Sequence, residues 1–477
     1  MGKILDNVKF LCIAGVGLFG DGWLNITIGL VIPMIGYLYF TDDGGAVPTV
    51  SGSVIKGGLS IGMILGQLSF GLFGDALGRH KVYGKELIIT IFGTLLLIVP
   101  PTYLGHAGIV AWLTTFRIIT GVGIGGDYPM SSSLSAEHNP MGSRAKLILT
   151  VFSFLGLGSV SAGVTYIILL AAFREAIKSN IHHLQWVWRL LFGIGLVPLI
   201  ATLYARLTMK ESKPYEKYVS TDTGLIGEDK RGLKEQFADF RIYFSQWKHA
   251  KTDIAFYGIN LNQSIILGAI GYGTGATPYE TLWNTAIGNI IVAAAGYLPG
   301  FYIGIFLPDV VGRVSQQAIC SALVTLLYAI WAGVTNHTST AGLMILFTLS
   351  QLVLNSGPNC TTFLLPVEVF PTRVRGCAHG IAAASGKAGA VLTAFAFGTV
   401  AEKIGINGVL GLFSGIMALC TLVTLLIPEP RGKTLDEIER GALYGEVASP
   451  SDTSVSSGEL GRVAVHAKGD DGVKDQV

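Results

Sequence analysis

This chain is short of charge. Asp, Glu, Lys and Arg together make up 13% of 477 residues, against about 25% in soluble domains. Residues of the set AVILMFWYC supply 50%, and the mean hydropathy is +0.55. A soluble protein of this length would need the polar surface of two or three domains, and the composition does not supply it. Cysteine is scarce too. Cys12, Cys320, Cys360, Cys377 and Cys420 all fall within or beside apolar runs, where a thiol behaves as a small hydrophobe, so no disulfide, redox or metal framework is expected. Nothing places a nucleophile, a base and an orienting group on one loop or helix face, so neither an enzyme nor a cofactor is expected. The formal net charge of +2 gives no reason to expect a nucleic-acid partner.

Long apolar runs are abundant, and the lipid bilayer is the partner they require. A spanning helix needs roughly 20 apolar residues, and twelve such spans can be placed: 8–39, 54–73, 86–104, 109–131, 147–171, 186–207, 252–273, 282–307, 315–335, 340–365, 378–401 and 406–428. The runs lack the alternation of barrel strands, and lipid accepts only helices or closed barrels. The expected fold is therefore an all-α membrane protein with twelve transmembrane helices in two six-helix bundles. The bundles cover 1–207 and 252–430, joined by a charged linker at 208–251 and followed by a polar, disordered tail at 431–477. The first run is too long for a signal-peptide core. Asp6 stands where a myristoylation signal needs Ser or Thr, so no lipid anchor is expected. Arg79, Lys81, Arg144, Lys146, Arg375, Arg431 and Lys433 follow even-numbered spans on one side, which predicts cytoplasmic termini by the excess of positive charge in inner loops.

Two motifs recur in both halves. Glu137, Pro140 and Arg144 follow span 4 as E-x-x-P-x-x-x-R, and Glu368, Pro371 and Arg375 repeat the pattern after span 10. Upstream of each stands D-x-x-G-R, as Asp75-Ala-Leu-Gly78-Arg79 and as Asp309-Val-Val-Gly312-Arg313. Repetition of charged turn residues points to a duplication and to a gate clamp that both halves share, the organisation of a transporter. The stretch Gly121-Val-Gly123-Ile-Gly125-Gly126 formally spells a dinucleotide fingerprint. That fingerprint follows a strand and opens a helix, whereas these glycines lie inside a span and suit close helix packing, as do Gly62 and Gly66.

Polar groups inside lipid mark functional sites. Tyr128 and Asn359 stand at the same offset before the repeated Glu, so the duplication places a hydroxyl and an amide at related depths of spans 4 and 10. Both groups suit phosphoryl oxygens. Asp21 and Asp253 stand at similar offsets before Asp75 and Asp309, forming a second symmetric pair, and Asp127 adds a third acid. Carboxylates in a cavity that dries and rewets can load and release protons. Helix capping is the competing account for each acid. Lys387, in span 11 among small neighbours, either attracts the substrate's negative charge, pairs with an acid, or snorkels to the cytoplasmic face.

The segment Gly71-Leu-Phe-Gly-Asp75-Ala-Leu-Gly78-Arg79-His80-Lys81, together with Arg117-Ile-Ile-Thr-Gly121, resembles the major facilitator superfamily over nearly the whole chain. The stretches GGDYPMSSSLSAE, DIAFYGINLNQS and GPNCTTFLLPVEVFPTRVRG are similar to its phosphate:proton symporter branch, which carries inorganic phosphate or glycerophosphodiesters. That resemblance implies substrate contacts at Tyr128, Tyr257 and Asn359, proton handling at Asp21, Asp127 and Asp253, and an ionic partner role for Arg117. Three positions depart from the pattern. Leu24 stands where a second acid is expected in span 1, Leu155 where a Gln is expected in span 5, and Lys251 crowds Asp253 toward the membrane edge. The first two departures favour a roomier organic phosphate. The third leaves span 7 short and keeps open a receptor that binds without transporting. A sugar or polyol carrier is the other alternative, and the primary expectation is a proton-coupled importer of a small phosphate anion across the plasma membrane.

Overall fold

The structure is a computed structural model that describes residues 2–101, 104–138, 144–209, 275–372, 374–434 and 437–438. Asp253, Tyr257, span 7, Pro140, and nearly all of the linker and tail lie outside the described residues. Among the described residues no strand occurs, and nine helices are long and apolar enough to cross a membrane.

Spans 1, 2, 4, 5 and 6 form as Gly2–Tyr39, Thr49–Leu77, His106–His138, Arg144–Ala172 and Leu184–Leu207. Span 3 is shorter than expected, Lys85–Leu97, because Pro100 and Pro101 follow and supply no amide hydrogen to continue a helix. In the second half, span 8 runs over Pro278–Val311 with a π-helical turn at Ala293–Tyr297. Span 9 is Arg313–Val334. Span 10 covers Thr340–Val369 and breaks at Gly357, ahead of Pro358. Spans 11 and 12 follow as one element, Arg375–Thr424, interrupted at Gly405, whose φ of 70° only glycine adopts easily.

Within the first half, span 2 lies along span 4, and span 1 along spans 5 and 6. Glycine makes the tightest of these approaches possible: a Cβ on Gly62 or Gly66 would come within 2.0 Å of a span 4 carbonyl oxygen, so any side chain there would push the helices apart. The Gly121–Gly126 stretch packs against spans 2 and 3 inside one continuous helix, as its packing reading requires. The halves meet along spans 2 and 11 and along spans 5 and 8. Gly380 abuts Gln67 and Phe395 reaches Gly57, so the first seam stays in contact over much of its length.

Candidate functional site

The end carrying the repeated motifs is closed by two crossed ion-pair clusters. Each D-x-x-G-R turn passes through a glycine in the same unusual conformation, φ 97° and ψ 140° at Gly78, φ 94° and ψ 158° at Gly312. That region is essentially closed to residues with a side chain. The turn swings the following Arg inward. Glu137 accepts Arg79 of its own half at 3.0 Å and Arg375 of the other half at 3.2 Å. Glu368 accepts Arg313 of its own half at 2.8 Å and Arg144 of the other at 3.1 Å. Thus each half donates its motif Arg to the Glu of its twin. All four arginines and both glutamates are buried. Removing one partner of such a cluster leaves an uncompensated charge in a dry interior, which costs about 3–5 kcal/mol.

Asp75 adds a further cross-link. Its carboxylate accepts the backbone N–H of Gly376 at 3.1 Å and of Cys377 at 2.7 Å, and so caps the first turn of span 11, where free amides and the helix dipole favour an anion. Glu429 does the same for span 9, accepting from the amides of Arg313 and Val314.

Deeper in the bundle, Asp21 is fully buried on span 1. Its two oxygens accept Asn25 Nδ2 at 3.0 Å and the Tyr128 hydroxyl at 2.5 Å. Lys387 Nζ, from span 11, lies 5.4 Å from the centre of the Tyr128 ring and within the electrostatic reach of Asp21. A cation over an aromatic face is attracted to it. Phe363 of span 10 meets Tyr128 edge-on at 5.9 Å and stacks on Phe152 of span 5 at 4.3 Å. Asn359, one turn earlier on span 10, donates to Asn355 Oδ1 at 2.7 Å. The duplication therefore brings Tyr128 and span 10 together, with Phe363 as the direct contact and Asn359 a turn away. One acid, one cation, a phenol and amides share a water-poor locus where the halves meet, a set that can trade a proton and hydrogen-bond an oxyanion.

Asp127 does not join that locus. It forms a short ion pair with Arg206 of span 6, which also binds Glu86 of span 3 at 3.2 Å and the carbonyls of Ile13 and Ala14. Tyr83 covers the guanidinium at 4.7 Å, and Ser131 donates to Asp127 at 2.8 Å. Two acids around one buried Arg make a second ionisable cluster, wholly inside the first half. Glu86 and Arg206 were missed in the sequence because each sits at the edge of its apolar run and reads as a loop charge.

Arg117 reaches from span 4 to span 2. Its Nε donates to the carbonyl of Ile55 at 2.9 Å, and among the described residues no carboxylate pairs with it, so the ionic partner expected for it is not found there. Arg174 and Lys178 line a cavity of about 810 Å³ with Tyr279 and Trp283. This opening lies at the end opposite the clamps, away from Asp21.

The chain matches the family described as Sugar (and other) transporter over residues 10–253 and 254–442. A Schizosaccharomyces pombe protein provisionally named an inorganic phosphate transporter is 38% identical, over 93% of this chain and 90% of its own. The inorganic phosphate transporter PHO84 of Saccharomyces cerevisiae is 35% identical over 94% of this chain and 86% of its own. Among solved structures, the major facilitator superfamily proton:xylose symporter XylE superposes with a TM-score of 0.69 at 17% identity, covering 91% of this chain and 98% of that one. The chain belongs to the Sugar (and other) transporter family and has the major facilitator fold.

Proposed function

From that membership we propose that the chain is a proton-coupled importer of a small phosphate anion, inorganic phosphate first and organic phosphates second, working by alternating access between two six-helix bundles (1–207 and 252–430). The observation that carries this reading is the convergence of Asp21, Tyr128 and Lys387. An oxyanion entering there takes the donors that Asp21 now engages, and it repels Asp21 while that group is ionised. A proton on Asp21 removes the repulsion and frees both donors, so anion and proton favour each other's binding by linkage. Asn359, and Tyr257 from span 7, complete the donor set. Asp127 and Asp253 are the further proton-handling acids, with Asp127 paired to the Arg206 that Glu86 shares.

Energetics require the protons. Moving one negative charge inward against an inside-negative potential costs about 2.3 kcal/mol per 100 mV. Carrying more protons than the anion has charges reverses that sign. The clamp end then faces the cytoplasm of a plasma-membrane protein whose termini are both internal, and the two ion-pair clusters shut that side while the site faces outward. Arg117 sits on the outward side of the path. The names carried by the relatives support phosphate. Leu24 and Leu155 in place of polar groups keep organic phosphates as the second choice.

The test is uptake of radiolabelled phosphate by cells expressing the chain, with and without an uncoupler, and in competition with glycerophosphoinositol and glycerophosphocholine. Accumulation that collapses with the uncoupler is expected. Absence of phosphate uptake, with neither diester taken up, would remove phosphate compounds from the reading. Uptake that ignores the uncoupler would favour a facilitator instead.

A further inference from the structure

Tyr128 has Asp21 on its hydroxyl and Lys387 over its ring, and its third recorded neighbour is an aromatic wall. Phe363 stands T-shaped to Tyr128 and is itself held from two further directions. Its ring stacks on Phe152 of the other half with an interplanar angle of 18°, and the His379 ring of span 11 meets it at 5.2 Å and 88°. Behind Phe152 lies Phe301 of span 8, at 5.4 Å. A Cβ on Gly156 would come within 2.6 Å of the Phe301 ring, so that ring lies directly against span 5. Phe152, Phe301, Phe363 and His379 are all buried. His379 also holds the backbone. Its Nε2 lies 3.2 Å from the carbonyl oxygen of Phe363. A carbonyl only accepts, so the ring carries a proton on Nε2 and donates it there. His379 Nδ1 is buried and makes no hydrogen bond, a cost that an apolar residue of similar size would avoid. One side chain of span 11 thus ties both the ring and the main chain of Phe363.

We propose that Phe363, held in place by His379, is the specificity-determining wall of the Asp21–Tyr128–Lys387 locus, admitting free phosphate and turning away the carbon substituent of a phosphate ester. The inference rests on the phosphate reading and narrows it. Phe363 follows Asn359 by one turn on the same face of span 10, so the ring borders the space that the amide and the phenol would share around an oxyanion. Free phosphate presents only oxygens there. An ester must also place carbon atoms against Tyr128, and a close-packed aromatic interior has no slack to receive them unless a ring moves. Leu155 stands where a polar group was expected, yet the turn before it puts Phe152 against Phe363, so loss of that polar group adds no room on this side. His379 acts through Phe363 and is a positioning residue.

Equilibrium binding of radiolabelled inorganic phosphate to the purified full chain in nanodiscs tests it, with methyl phosphate and phenyl phosphate as competitors of like charge and rising bulk. Wild-type protein should bind phosphate best and phenyl phosphate worst. Phe363→Ala should improve phenyl phosphate relative to inorganic phosphate by about tenfold or more, the scale on which a pocket discriminates carbon groups. Phe363→Leu, smaller and still apolar, should move the same ratio in the same direction, and it gives the reading if Phe363→Ala does not fold. His379→Gln keeps an amide donor where Nε2 lies and should preserve the wild-type ratio. His379→Asn places its donor where Nδ1 lies, and it should shift the ratio toward phenyl phosphate. Wild-type protein that binds phenyl phosphate as tightly as phosphate, or a ratio unmoved by both Phe363 variants, overturns the proposal. Equal behaviour of His379→Gln and His379→Asn removes His379 from it. Wild-type protein that binds neither phosphate nor the esters refutes the function from which the inference starts.

Discussion

Asp75 and Asp309 hold equivalent places in the two halves, yet the Asp75 side chain is fully buried and caps span 11, while the Asp309 side chain is 31% exposed and reaches across the interface only to Lys146 at 3.4 Å. The Glu–Arg pairs around them are nearly superimposable in kind, with Glu137 and Glu368 each holding one arginine from either half. Duplication has thus preserved the ion pairs and let the caps diverge. The seam of spans 2 and 11 is latched by backbone amides as well as charge, and the seam of spans 5 and 8 by charge with a solvent-exposed outer link. Closure of this end is then asymmetric, and we expect the loose seam to part first.

Glutamate removal should give the largest effect. Glu137→Gln and Glu368→Gln each strand two buried arginines, and each should destabilise the closed clamp by about 3–5 kcal/mol, measured as loss of transport with protein still present in the membrane. A mild phenotype in only one of them would show that the pairs are less equivalent than their geometry. Next comes Asp75→Asn, which keeps one acceptor but loses the charge at the span 11 N-terminus and should cost about 2 kcal/mol. Cys377 is a native reporter, being 8% exposed and bonded to Asp75 through its own amide. In a Cys12→Ser background, Asp75→Asn should speed its labelling by a thiol reagent more than tenfold. Gly78→Ala and Gly312→Ala should each cost about 1–3 kcal/mol in thermal stability, because both turns use a backbone region that side chains avoid. Asp309→Asn should be the smallest, below about 1 kcal/mol, since its link is exposed and screened, and it should leave Cys377 labelling unchanged. Equal effects of Asp75→Asn and Asp309→Asn would break the asymmetry.

Much of this architecture is legible in the sequence, for physical reasons. Span lengths follow from the thickness of the hydrocarbon layer, so the ends of spans 5, 6 and 9 fall within a few residues of their expected limits. The clamps are legible because their charged turns occur twice. What the sequence hides is partner choice. Asp21, Tyr128 and Lys387 could be picked out as polar groups in lipid, but that Tyr128 donates to Asp21 depends on how spans 1 and 4 are rotated. Asp127 looks like a neighbour of Tyr128 in sequence, yet consecutive helix positions face different ways, and it turns to Arg206 instead. Arg206 and Glu86 stayed invisible because a charge at the margin of an apolar run costs little and carries no signal until its helix is packed.

Proton coupling through Asp21 is best read in proteoliposomes that hold a pH-sensitive dye, by adding external phosphate under an inside-negative potential. Wild-type protein should acidify the lumen as phosphate enters, and Asp21→Asn should retain phosphate binding without driving acidification. Acidification by Asp21→Asn at the wild-type rate would contradict the account.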